Sequence, residues 1–131
     1  MTLIGCFALL MTACAARDDD SSGGGSDSAA TDLTITVWPQ GEGGPSEEWT
    51  LRCDPVGGTL PNAGEACGKL AAEMLEPLPP DTICTQIYGG PQTARVQGRF
   101  AGNEVDARFG RSNGCEIHRW DVASFLFPVK I

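Results

Sequence analysis

Apolar and polar residues alternate along Leu33-Thr34-Ile35-Thr36-Val37-Trp38, a run rich in β-branched side chains, and this predicts a strand. Glu48 to Cys53 predicts the next, after a glycine-rich turn over Pro39 to Ser46. Asp54-Pro55-Val56-Gly57-Gly58 stops it. Two further alternating runs, Thr93 to Phe100 and Glu104 to Phe109, form a hairpin around Ala101-Gly102-Asn103. Pro61 to Leu75 carries the other period: Ala66, Cys67, Leu70, Ala71, Met74 and Leu75 share one face at helical spacing, with Asn62 as cap. The apolar run Asp121 to Val129 predicts a last strand. Together these elements predict an α+β fold, a five-stranded antiparallel sheet with one main helix packed on one face.

One segment has neither period. Asp81 to Pro91 sets Ile83, Ile87 and Tyr88 around Cys84, between Pro79-Pro80 and Gly89-Gly90-Pro91. Glycine and proline punctuate loops, and loops lie at the surface. An exposed apolar loop is a liability unless something binds it, and a disulfide at its centre would hold it in one shape. The stretch therefore reads as a preformed bait.

The beginning of the chain differs from the rest. Met1 to Cys14 is apolar but shorter than the roughly 20 residues a bilayer span needs, and it fits the core of an export signal. It ends in Leu10-Met11-Thr12-Ala13-Cys14, which resembles a bacterial lipobox, so Cys14 is the expected lipidation site; Cys6 fits a lipobox only with an upstream extension. No Lys or Arg precedes the apolar run, which points to a start upstream of Met1. Residues 15–32 read as a flexible acidic linker, leaving residues 33–131 as the folding unit. The expected location is the outer face of the cell membrane, with contact to the membrane only through the lipid, or free secretion. Net charge is −8 over 131 residues, but Asp18, Asp19, Asp20, Asp27 and Asp32 sit in or at the edge of the linker. No basic stripe suits nucleic acid.

The folding unit keeps Cys53, Cys67, Cys84 and Cys115. An even number in a small exported domain argues for two disulfides. A zinc site fares worse, because no Cys-x-x-Cys pair exists and His118 is the only histidine. Three connectivities remain open, with Cys53–Cys67 and Cys84–Cys115 favoured. By chain entropy, bridges of those spans contribute roughly 3 and 3.7 kcal/mol. Catalytic chemistry is hard to assemble: His118 lies amid charged neighbours, with no phosphate loop and no paired metal-ligand motif. A binding protein, with no cofactor and no metal, is expected rather than an enzyme.

These residues resemble the Streptomyces subtilisin inhibitor family of serine-protease inhibitors. The likeness runs from about Leu33 to Phe127, through Thr50-Leu51-Arg52-Cys53-Asp54-Pro55, Gly58-Thr59-Leu60-Pro61, Ala66-Cys67 and Ile83-Cys84-Thr85-Gln86-Ile87-Tyr88. It continues through Val96-Gln97-Gly98-Arg99-Phe100, Asn113-Gly114-Cys115 and Ser124-Phe125-Leu126-Phe127. The resemblance implies pairing of the first cysteine with the second and the third with the fourth, and a homodimer formed through the sheet. It implies an extracellular subtilisin-type serine protease as partner, with Gln86–Ile87 as the reactive bond. Ile83, Cys84, Thr85 and Tyr88 would touch the protease, and Asn113 would brace the loop. The family commonly carries Met, Lys, Leu or Arg where Gln86 stands, so trypsin-like targets stay open. The segments Tyr88 to Pro91 and Phe109 to Asn113 are slightly long for the pattern, which predicts a looser brace. The competing use of the scaffold is a non-inhibitory surface lipoprotein that binds an envelope partner through a sheet face bearing Trp38 and Trp49.

Overall fold

The computed structural model describes residues 30–131. The leader, Cys6, Cys14 and the linker up to Ala29 lie outside the described residues. Four strands form one antiparallel sheet: β1 (Thr31–Trp38), β2 (Glu47–Cys53), β3 (Thr93–Phe100) and β4 (Asn103–Phe109). Their order is β2-β1-β3-β4. β1 starts at Thr31, so Thr31 and Asp32, read from sequence as linker, belong to the sheet.

Period-two alternation sorts the side chains. Leu33, Ile35 and Val37 of β1, Leu51 of β2, Ala94 and Val96 of β3, and Ala107 and Phe109 of β4 are all buried on one face. Trp49 lies opposite Ile35 and packs on this same core. Trp38 follows Val37 and points the other way. The two tryptophans expected to share a sheet face are thus on opposite faces, because Trp38 has the parity of Thr36 and Trp49 that of Ile35.

Two helices cover the core face rather than one. α1 (Ala63–Lys69) is shorter than the predicted Pro61–Leu75 helix. Leu70 and Ala71 turn extended, and a 3-10 turn follows over Ala72–Leu75. Gly64 and Gly68 weaken helix propagation, and the break lets both Leu70 and Leu75 reach the core. Asn62 does occupy the position before the helix, but in the left-handed region (φ 58°) and without a side-chain capping bond. A capping side chain normally works from extended backbone.

The second helix, α2 (Gly114–Val122), and a 3-10 turn at Ser124–Leu126 stand where Asp121 to Val129 was expected to be a fifth strand. Trp120, Ala123, Leu126 and Phe127 are buried, a three-and-four spacing that one helical face can bury and a strand cannot. Phe127 closes against Trp120 and Phe109, with ring centroids 4.6 and 5.1 Å away. Cys53 pairs with Cys67 and Cys84 with Cys115. The first bridge ties the end of β2 to α1; the second ties the aperiodic loop to the first turn of α2.

Candidate functional site

The segment from Pro79 to Pro91 belongs to no helix or strand. It opens with a tight turn, in which the Thr82 N–H and hydroxyl both donate to the Pro79 carbonyl (3.1 and 2.7 Å). Beyond it Ile83 is 96% exposed, Ile87 57% and Tyr88 70%. Burial therefore does not hold these three side chains, and the order of the loop comes from a few well-placed attachments.

The upstream limb is held by the Cys84–Cys115 bridge and by a hydrogen bond from the Gly114 N–H to the Thr85 carbonyl (2.9 Å). Otherwise it spans a mostly apolar cleft of about 770 Å³, lined by Met74, Leu78, Ile83, His118 and Val122 among others. His118 is an exposed rim residue. Glycine at 114 gives the loop room, since a Cβ would meet the Thr85 hydroxyl and one of the two would have to shift.

The downstream limb lies flush on the scaffold instead. The Gly89 N–H donates to the Arg111 carbonyl (2.7 Å), and Arg111 Nε donates back to the Gly89 carbonyl (3.3 Å). A Cβ on Gly89 would sit 2.7 Å from Ile117 Cγ1, so a side chain there would lift the limb. The segments Tyr88 to Pro91 and Phe109 to Asn113 thus meet each other through Gly89 and Arg111.

Between these attachments Gln86, Ile87 and Tyr88 form a free arch. The Gln86 side-chain amide folds back to donate to the Cys84 carbonyl (3.2 Å). Both feet of the arch rest on one short stretch, Arg111 to Cys115. Asn113, expected to brace the loop, caps α2 through its side chain: Oδ1 accepts from the Glu116 N–H (3.0 Å). Among the described residues no hydrogen bond joins the Asn113 side chain to the loop. Sequence reasoning missed Arg111, which sits in a Gly-Arg-Ser-Asn run without periodicity. It also missed Gly114 as a loop contact, although the glycine next to Cys115 was a signal for close approach.

Arg119 runs beneath the cleft, its Nε donating to the Glu76 carbonyl (3.1 Å) and its guanidinium over the Phe109 ring (4.2 Å). Burial lowers its pKa, partly countered by Glu116. Among the described residues, no group of three or more His, Cys, Asp or Glu could hold a metal ion, and no helix is long and apolar enough to cross a membrane.

Residues 28–113 match the sequence model of the subtilisin inhibitor-like family. The chain belongs to that family. It is 38% identical over 85 residues to subtilisin inhibitor-like protein 1 of Streptomyces cacaoi, covering 60% of this chain and 76% of the relative. Its fold is similar to Streptomyces caespitosus sermetstatin, solved in complex with Bacillus licheniformis subtilisin. That likeness has a TM-score of 0.50 and 25% identity over 76% of this chain and 99% of sermetstatin. Membership sets the chain among inhibitor domains rather than enzymes.

Proposed function

We propose that this chain is a reversible inhibitor of subtilisin-type serine proteases that offers Gln86–Ile87 as the scissile bond. The observation that carries this reading is the arch itself: exposed Ile83, Ile87 and Tyr88 on backbone fastened at Thr85 and Gly89. Gln86 would enter the primary specificity pocket, Ile83 an apolar pocket upstream, and Ile87 with Tyr88 would lie on the leaving side.

The mechanism follows from ordering. Fixing one residue's backbone costs about 1–2 kcal/mol, so some six loop residues represent on the order of 6–12 kcal/mol. Folding has already ordered them, and binding surrenders little more. The protease serine oxygen attacks the Gln86 carbonyl carbon. The Gln86–Ile87 C–N bond breaks, and the Ile87 nitrogen takes a proton and leaves as an amine. Because the limb behind that amine stays fastened, its effective concentration beside the ester is high. Its return expels the serine and restores the peptide faster than water can release the Gln86 carboxylate. Leu10 to Cys14 supports export with a lipid on Cys14 as part of the same reading, which would put the inhibitor at the outer face of the cell membrane.

Titrating a subtilisin with the purified full chain tests the proposal. Activity should fall to near zero at an equimolar ratio, with mass spectrometry finding at most a single nick, at Gln86–Ile87. Full activity with accumulating loop fragments overturns it. Gln86→Lys should shift preference toward trypsin-like enzymes, whose pocket carries an acid; unchanged selectivity would remove Gln86 from the specificity role.

A further inference from the structure

The upstream foot of the arch is covalent, whereas the downstream foot is held by one residue, Arg111, through its backbone carbonyl and its side chain. Arg111 is 14% exposed in its side chain, unusual for an arginine in a surface connection. Its guanidinium lies 5.9 Å from the ring centroid of Trp120, which is itself 1% exposed in the core. Its Nη1 reaches Asp121 Oδ1 at 3.3 Å. From this seat Nε meets the Gly89 carbonyl, while the Arg111 carbonyl takes the Gly89 N–H. Gly89 is thereby held at both its polar atoms, and its missing side chain lets it press against Ile117.

We propose that Arg111 is a positioning residue that keeps the leaving-side limb in place after the Gln86–Ile87 bond opens. The proposal rests on the inhibitor reading above. Once the bond is cut, the Cys84–Cys115 bridge still holds the acyl side, but only Ile87 and Tyr88 separate the new amine from Gly89. With Gly89 clamped, the amine has about two residues of slack and stays within reach of the ester. With the clamp loosened, the limb can swing downstream toward Gly90 and Pro91, water enters, and the inhibitor is consumed. Arg111 makes its loop contact at Gly89, three residues past Gln86, and acts through it.

The test compares full chains carrying Arg111→Lys and Arg111→Ala with wild type. Lysine keeps a charged stem over Trp120 but cannot place a donor where Nε stands, so it guards against a variant that fails to fold. Three readouts are taken: amide hydrogen exchange at Gly89, cleavage at Gln86–Ile87 by catalytic subtilisin, and resealing of purified nicked protein. Both variants lose the charge-assisted hydrogen bond to Gly89, which predicts cleavage about tenfold faster in Arg111→Lys and at least that in Arg111→Ala, where the stem beside Trp120 is lost as well. Resealing should fall in step, and Gly89 exchange should quicken in both. Wild-type rates of cleavage and resealing in the lysine variant, while wild type inhibits normally, would overturn the role of Arg111 and leave the inhibitor reading standing. A wild-type chain digested without inhibition overturns both.

Discussion

The two disulfides look alike on paper and sit in opposite settings. Cys53–Cys67 closes a sequence span of 14 between the last residue of β2 and α1, with Leu51, Leu60 and Ala66 buried around it. Cys84–Cys115 closes a span of 31 between an aperiodic loop and α2, beside a cleft instead of a core. The first reinforces a region that packing already holds. The second takes the place of packing, because the residues it positions face outward. Equal chemistry therefore yields fold stability in one place and a presented shape in the other.

Replacing each bridge by a serine pair is the most direct way to break this contrast. Cys84→Ser with Cys115→Ser removes a constraint of about 3.7 kcal/mol. If that order is spent at the protease interface, inhibition should weaken on the order of several hundredfold, with the loop digested in inhibition assays followed by mass spectrometry. Cys53→Ser with Cys67→Ser removes about 3 kcal/mol and should lower Tm by roughly 12–24 °C for a domain of this size. Inhibition measured well below that Tm should stay within about threefold of wild type, less than one hydrogen bond's worth. Equal losses of inhibition in both pairs would erase the distinction.

The same contrast explains what the sequence could disclose. β1 to β4 were legible because half-buried strands print their period directly into the chain, as Leu33, Ile35 and Val37 do. The loop was legible by default, as apolar residues with no period beside a cysteine. α2 was misread because Phe125-Leu126-Phe127 is a continuous apolar run, which suits a strand unless the spacing back to Trp120 and Ala123 is weighed. Asn113 followed by Glu116 gave a helix start that went unused. Arg111 had no sequence signature at all. Its partner lies 22 residues away across a loop, and such a contact leaves no periodicity to read.

A finer probe stays within the second bridge's neighbourhood. Gly114→Ala leaves the disulfide intact but drives a methyl group into the Thr85 hydroxyl. Thr85 must then retreat and the Gly114 N–H to Thr85 carbonyl bond lengthens. Alanine is otherwise favourable in a helix by up to about 1 kcal/mol, so Tm should change little or rise slightly. Inhibition should weaken by about tenfold, the scale of one lost hydrogen bond. Opposite signs for stability and inhibition would separate loop presentation from folding more sharply than either cysteine pair.

The smallest expected effect comes from the far side of the sheet. Arg95 donates from Nε and Nη2 to the two carboxylate oxygens of Asp106, both at 2.8 Å, on the exposed face of β3 and β4. That hydrogen-bonded pairing holds the Asp106 carboxyl below its ordinary range. A carboxylate depressed in the folded state contributes stability above its unfolded pKa, and loses that contribution as pH falls through the folded value. The pair is solvent-exposed, so the contribution is small even at neutral pH. Asp106→Asn should therefore lower Tm slightly at about pH 7, and the difference should shrink as pH falls through the depressed folded pKa of Asp106. Inhibition at about pH 7 should be untouched, since neither residue contacts the loop. A measurable loss of inhibition in Asp106→Asn would mean that the sheet face communicates with the arch, and the separation between scaffold and presented loop would fail at its weakest expected point.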